Sequence, residues 1–537
     1  MATAASGIAR ALREARVKTV FGIPSVHNLA LYEALRLDSE IRHVVCRHEA
    51  SATHMADGYA RAAGAPGVVI SSTGPGAAFT VAPLHEAWGS CSPVVMITTD
   101  IEAAKIGRGL GALHELEDQA ALFRAITKAV LCACPGDDLY AAARWALATA
   151  ASARPGPVCL AVPTDVLSAA PTDAARAPAG EAPRPGAPSR LAEAESLLQK
   201  ARWPVIIAGT GAARAGLARE ITALAEALAA PVVTSAAGKG LIPEDHPLAF
   251  GNVARRGVVR EMVEGCDLAL AIGTRLREVD AKRRGLKLPA LIHAEWDERW
   301  IDRNFPCAVP LLGDIGVAAR ELSRQAPGGP ARAERQTRAA RLRDRLGEEV
   351  SRIRDAQPEL RYLEAIRSIL PRHGILVVDN TQLGYWAEYF YPAYAPGTWV
   401  AAKGSTLLGF SFPAAAGIKL ALPHAPVVAV TGDGGFLYSA QELATCVRHG
   451  IAFPVVVVND NAYGVIRYLQ KTAYGKEYGS RLSNPDFVAF AASFGVPAER
   501  VRSPGELERA LDRALVSGEM RLIELEAEFP TPPFDKY

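Results

Sequence analysis

Short runs of β-branched and other apolar residues recur along the chain, separated by longer stretches in which apolar positions fall three and four apart. Pro426 to Val430 is one such run and ends just before Gly432; Phe453 to Val458 is another, and both are predicted as buried parallel strands. Between them Ser439 and Glu442 have capping-box spacing, Leu443, Cys446 and Val447 form a helical stripe, and Gly450 is placed to close the helix. A crossover of this kind is right-handed, so Asp433 and Asp460, at the carboxyl ends of the two strands, open on one edge of one sheet. Near the amino terminus Ile41 to Cys46 reads as a strand. From Glu49 the positions Ala52, Met55, Ala56, Tyr59 and Ala60 then follow helical spacing until Gly64. Residues 205–216, VIIAGTGAARAG, read as strand, glycine loop and helix.

Two compositional breaks divide this alternation. Residues 168–190 are Ala/Pro-rich and unpatterned, as a linker is, and residues 325–348 begin as a linker and run into a charged helix. The expectation is an α/β chain of three domains, 1–167, 190–325 and 350–537, each with a parallel sheet wound on both faces. No fixed-period repeat is present.

Composition narrows the function. The 59 basic and 57 acidic residues leave a net charge of +2, which excludes a polyanion-binding bias, so no nucleic-acid partner is expected. No apolar run reaches the ~18 residues of a membrane span, and MATAASGIARALREARV lacks the apolar core of a signal peptide. A cytoplasmic protein without a membrane partner follows. The eight cysteines have no CxxC pair and read as small buried hydrophobes, with Cys132 and Cys134 too close for a zinc knuckle.

Converging carboxylates beside Gly432, Gly434 and Gly435 suit a hard divalent cation that carries a phosphate, because Mg2+ takes one or two carboxylates together with phosphate oxygens. Asp433 stands 27 positions before Asp460, and this spacing, followed by an asparagine-rich turn, resembles the GDG…NN signature of thiamine diphosphate enzymes. Here Asn459 is followed by Asp460, where the family has two adjacent asparagines. Aspartate is an equally hard ligand but adds a negative charge. A second set, RHE at 47–49, ADGYAR at 56–61 and TGPG at 73–76, is similar to the pyrimidine-binding half of the acetohydroxyacid synthase and 2-oxo acid decarboxylase group.

The resemblance implies pyrimidine-binding, central and diphosphate-binding domains, with thiamine diphosphate and Mg2+ as cofactors. By family pattern Glu49 hydrogen-bonds the pyrimidine ring and so makes its amino group the internal base that activates the thiazolium carbon. Asp433, Asp460 and the carbonyl of Ala462 would hold the metal. Leu408 matches the apolar wedge under the cofactor, and Thr406, where glycine is usual, the residue whose carbonyl takes the pyrimidine amino group. Gln382, Pro24, Gly74, Tyr463 and the glycines beside Asp433 complete the cofactor contacts. Facing domains would come from different subunits, giving a homodimer or a dimer of dimers with interfacial sites.

The loops FGIPSVHNLALYEAL at 21–35 and GRGLGALHELEDQAALF at 107–123 look most like decarboxylases of a guanidino 2-oxo acid. Pyruvate decarboxylases have paired histidines in the second loop and a glutamate where Ile466 stands. His27 and His114 are therefore the acid/base candidates, with Glu115 as a possible partner, while Glu117 and Asp118 read as a solvated helix start. The implied activity is decarboxylation of a 2-oxo acid through an enamine, with release of an aldehyde. The alternatives are carboligation of the acetolactate synthase type and a catalytically silent cofactor-binding homologue. No clear match to a flavin-contact stretch appears in the middle domain, so FAD is not expected, and the run Lys282 to Arg284 reads as a solvated face.

Overall fold

The computed structural model describes residues 3–533 apart from 39, 172–184, 282–284, 325–329 and 530. Most of the first predicted linker, the start of the second and the basic run at 282–284 thus lie outside the described residues.

Six parallel strands form the first sheet: β1 (Thr19–Gly22), β2 (Arg42–Val45), β3 (Gly67–Ser71), β4 (Val94–Asp100), β5 (Ala129–Cys132) and β6 (Val158–Pro163), in the order β2-β1-β3-β4-β6-β5. The second contains β7 (Pro204–Ala208), β8 (Val232–Thr234), β9 (Ala249–Asn252), β10 (Leu268–Ile272), β11 (Ala290–Glu295) and β12 (Val309–Leu312), ordered β12-β11-β10-β7-β8-β9. The third contains β13 (Ile375–Val378), β14 (Trp399–Ala401), β15 (Val427–Gly432), β16 (Pro454–Asn459), β17 (Ala498–Val501) and β18 (Arg521–Glu526). Its order, β14-β13-β15-β16-β18-β17, is that of the first sheet repeated. Central strands such as β3, β4 and β13 are buried throughout, which is why they read as continuous Val/Ile runs rather than alternating ones.

The first and third sheets share one apolar cluster, in which Phe21, Val69 and Met96 meet Val377, Ala429 and Val457. The middle sheet closes its own, around Val205, Ile207, Leu270 and Ile292. The shared core is joined by two helices, Glu49–Ala63 and Ser411–Ala421, whose backbones nearly touch. A Cβ on Gly58 would lie 2.1 Å from the Ala414 carbonyl, and one on Gly417 would lie 1.9 Å from that of Met55, so any larger residue separates the two domains. Among the described residues no helix is long and apolar enough to cross a membrane.

Three local expectations need correction. Ser439 forms no capping bond; Glu442 turns away to accept from the Arg47 N–H at 3.1 Å and from Thr445 Oγ1 at 2.5 Å, so a contact between domains replaces the capping box. Val447 is 48% exposed, and the buried helical face there is Leu443, Thr445 and Cys446. Cys132 and Cys134 are exposed, because β5 is an edge strand that ends in solvent, whereas Cys46, Cys91, Cys159, Cys266 and Cys446 are buried thiols.

Candidate cofactor site

A cavity of about 260 Å3 opens at the carboxyl ends of β13, β15 and β16. Parallel pairing of β15 with β16 places Gly432 opposite Val458, so Asp433 and Asp460 emerge side by side. Asp433 is buried, and its carboxylate accepts from Gly434 N–H at 2.8 Å, Ala462 N–H at 3.2 Å and Asn484 Nδ2 at 2.7 Å. Burial raises its pKa against these donors. Asp460 is pushed up to about 6, by burial first and by the charge of Asp433 second, although Arg467 Nη2 stands 3.3 Å away. Two neighbouring buried carboxylates are a donor set that a hard divalent cation accepts.

The cradle fits a phosphate-bearing ligand as well. Gly464 has no room for a side chain, since a Cβ there would meet Asp460 Oδ2 at 2.6 Å and Gln382 Nε2 at 2.7 Å. Gln382 is buried with its Oε1 unpartnered at the cavity wall. Among the described residues no three His, Cys, Asp or Glu side chains converge on one metal position. Two carboxylates with a backbone carbonyl and ligand phosphates are the set that Mg2+ accepts. Thr406, Leu408, Tyr463 and Ile466 also line the cavity. Thr406 has φ +63, a left-handed backbone that explains why glycine is usual there.

Sequence reasoning missed Asp379 and Asn484. Asp379 is buried beneath the cavity and accepts from Gly409 N–H at 3.0 Å and Thr431 Oγ1 at 3.3 Å, tying the Leu408 turn to the Asp433 turn. Burial pushes its pKa up to about 6. An acid with a raised folded-state pKa stabilises relative to its ionised form below its unfolded pKa near 3.8 and loses that contribution as pH rises through about 6. The apo-protein is thus expected to lose up to roughly 3 kcal/mol from this group between pH 4 and 7. In Asp379→Asn that share of the pH dependence should vanish in parallel thermal melts. A variant with an unchanged pH profile would remove Asp379 from this role.

The amino-terminal candidates form a second set. Glu49 starts its helix directly after β2, and its Oε1 lies 3.2 Å from where a Cβ on Gly76 would begin. His27 and His114 bring their rings to 5.0 Å, each with a buried Nδ1 that has no hydrogen-bond partner. His114 holds a left-handed φ of +66. The His27 pKa is lowered, by burial first and by His114 second. Asn28 shapes the exposed Pro24 loop by accepting from Ser25 N–H at 2.7 Å and donating to the Ile23 carbonyl. Gln119, also missed, fixes Gly74 by accepting its N–H at 2.6 Å. Glu115 is not a partner for either histidine: its oxygens accept from Leu110 and Ala112 N–H groups, which hold its pKa down and make it a brace of its own loop. Asp118 pairs with Arg124 at 2.7 Å in solvent.

Among the described residues, those lining the cavity run from Asp379 to Phe529, and Glu49, His27 and His114 are not among them. At the middle sheet, the turn after β7 faces a crevice in which Arg154 lies over the Trp88 ring at 4.3 Å, and Arg154 and Arg275 both lie over Trp300.

A glutamate at a strand-to-helix junction, a carboxylate-lined phosphate cradle and two sheets of equal strand order define a class. The chain belongs to the thiamine pyrophosphate enzymes: residues 2–122 match the N-terminal TPP-binding domain, 191–322 the central domain and 379–525 the C-terminal TPP-binding domain of that family. Among individual proteins it is 38% identical to a probable 2-ketoarginine decarboxylase, AruI, of Pseudomonas aeruginosa, over 97% of this chain and 94% of the relative. It is 33% identical to a probable acetolactate synthase large subunit of Methanocaldococcus jannaschii, over 97% and 91%. With the acetolactate synthase isozyme 3 large subunit of Escherichia coli it shares 30%, over 96% and 92%.

Proposed function

We propose that this thiamine diphosphate enzyme decarboxylates a 2-oxo acid larger than pyruvate and releases an aldehyde, with a guanidino 2-oxo acid as the first substrate to test. The observation that carries the reading is the His27–His114 pair, two close imidazoles with unpartnered Nδ1 atoms in the loops next to Glu49. Similarity to a 2-ketoarginine decarboxylase supports the substrate class. The bound cofactor supplies an electron sink for the pair left by departing CO2. Asp433, Asp460 and the carbonyl of Ala462 would hold Mg2+, and Gln382 and the glycines at 432, 434 and 435 would line the diphosphate's place. Glu49 would hydrogen-bond the pyrimidine ring and hold a proton there. Leu408 would support the cofactor from the cavity wall, and the Thr406 carbonyl would receive its amino group.

His27, made more acidic by burial and by its neighbour, donates the proton that lets aldehyde leave, and His114 shares that task. Ile466 and Tyr463 supply an apolar wall to the cavity. Since the histidine set and the metal set lie apart in one chain, a second copy completes each site, as a homodimer or a dimer of dimers.

Carboligation of the acetolactate synthase type is the second reading, favoured by the synthase relatives. Incubating purified enzyme with a panel of 2-oxo acids and identifying the products separates the two. Conversion of pyruvate chiefly to 2-acetolactate, with no aldehyde from longer acids, would overturn the decarboxylase reading. In addition, His27→Asn and His114→Asn are each expected to slow aldehyde release by roughly 100-fold, the scale of a lost general acid. Both should raise the acyloin share when an acceptor aldehyde is added, as read by gas chromatography.

A further inference from the structure

The segment 403–409 carries Thr406 and Leu408 into the cofactor cavity, yet it is an irregular loop whose Thr406 holds a left-handed backbone that non-glycine residues seldom adopt. It stays in place because each of the three domains grips it. From the central domain Arg277 donates through Nη1 to the Lys403 carbonyl. From the loop's own domain Glu388 pairs with Lys403 Nζ at 2.6 Å, Asn380 Nδ2 donates to the Leu407 carbonyl and Asp379 accepts from Gly409 N–H.

The third grip comes from the amino-terminal domain. Glu86, in the helix Val81–Gly89, is completely buried. Its Oε1 accepts from Gly404 N–H at 2.8 Å and its Oε2 from Ser405 N–H at 2.7 Å, the two residues that lead directly into Thr406. Ser90 Oγ donates to Oε1 at 2.8 Å, and Arg61, itself paired with Asp57, stands 3.4 Å away. A carboxylate that spans two consecutive N–H groups fixes the direction of both peptide planes and hence of the carbonyl that follows. An amide can accept only one of these bonds and turns an N–H2 toward the other donor.

We infer that Glu86 is a positioning residue: by clamping 404 and 405 from another domain it sets the geometry of Thr406 and Leu408 against the cofactor. Neither Gly404 nor Ser405 lines the cofactor cavity, so their hold by Glu86 reaches the cofactor through Thr406 and Leu408. The inference rests on cofactor binding, not on which 2-oxo acid is turned over.

The test uses the full chain loaded with thiamine diphosphate and magnesium chloride, with two variants and two readouts that need no substrate. Glu86→Gln removes one bond from the protein side, and Gly404→Ala displaces the loop from its own side, because a Cβ there would lie 2.1 Å from the Glu86 carbonyl. Both are expected to raise the Kd for thiamine diphosphate by about tenfold or more, the scale of one charge-assisted hydrogen bond. Both should also slow exchange of the cofactor's C2 proton per occupied site by a similar factor, and the double variant should be no worse than the more affected single one. Exchange per occupied site does not follow the folded fraction, so a merely structural role would leave it unchanged. Wild-type exchange in folded Glu86→Gln overturns the assignment; if that variant does not fold, wild-type exchange in Gly404→Ala does so alone.

Discussion

Asp433→Ala is expected to fold and to lose thiamine diphosphate on gel filtration, with cofactor affinity down by at least ~100-fold. That exceeds the 10- to 100-fold that changes outside a metal's direct ligands cost. The wild-type carboxylate is buried against Gly434, Ala462 and Asn484, burial raises its pKa, and in the proposed site a cation would meet its charge. Alanine removes a hard ligand and strands three donors, at roughly 1 to 3 kcal/mol of stability for an unsatisfied buried group. Calorimetric titration with and without magnesium reads the loss directly. A variant that binds the cofactor at wild-type strength after chelation would show that the cation sits elsewhere.

Glu49→Gln should separate binding from activation. The amide keeps the shape at the start of the Glu49–Ala63 helix, so cofactor affinity is expected to change little. Exchange of the C2 proton should fall by about 100-fold or more, as when a positioned acid or base loses its proton affinity. Quenched-flow exchange into deuterium followed by NMR makes the comparison. Unchanged exchange would take Glu49 out of the activation step and leave it as the first residue of a helix, where a carboxylate favours the helix dipole.

What the sequence made legible was governed by neighbours along the chain. Periodicity located β15, β16 and the helix between them, and Gly64 and Gly450 close their helices in left-handed backbone as expected. The Asp433 and Asp460 turns follow from strand ends and a right-handed crossover. Glu442 went astray because a capping rule sees three residues, whereas the winning partner, Arg47, lies 395 positions away. Glu86, Asp379, Gln119 and Asn484 escaped for the same reason: each acts on backbone or side chains 20 to 319 residues distant, and nothing in their own surroundings records it. The exposure of Cys132 depended on β5 being an edge strand, which is fixed by strand order and not by the apolar run itself.

The equal strand order of the first and third sheets has a sharper form at their third strands. Two residues past the end of β3 the chain reads Thr73-Gly74-Pro75-Gly76 and enters the four-residue helix Pro75–Ala78; β15 itself ends on Thr431-Gly432, and Asp433-Gly434 opens the four-residue helix Asp433–Phe436. A like residue pattern thus follows the third strand of both frames, differing at its third position, although Gly74 has φ +62 and Gly432 φ −84. The two turns differ in charge at that one residue: proline leaves one uncharged beside Glu49, and aspartate would give the other its proposed grip on metal and phosphate.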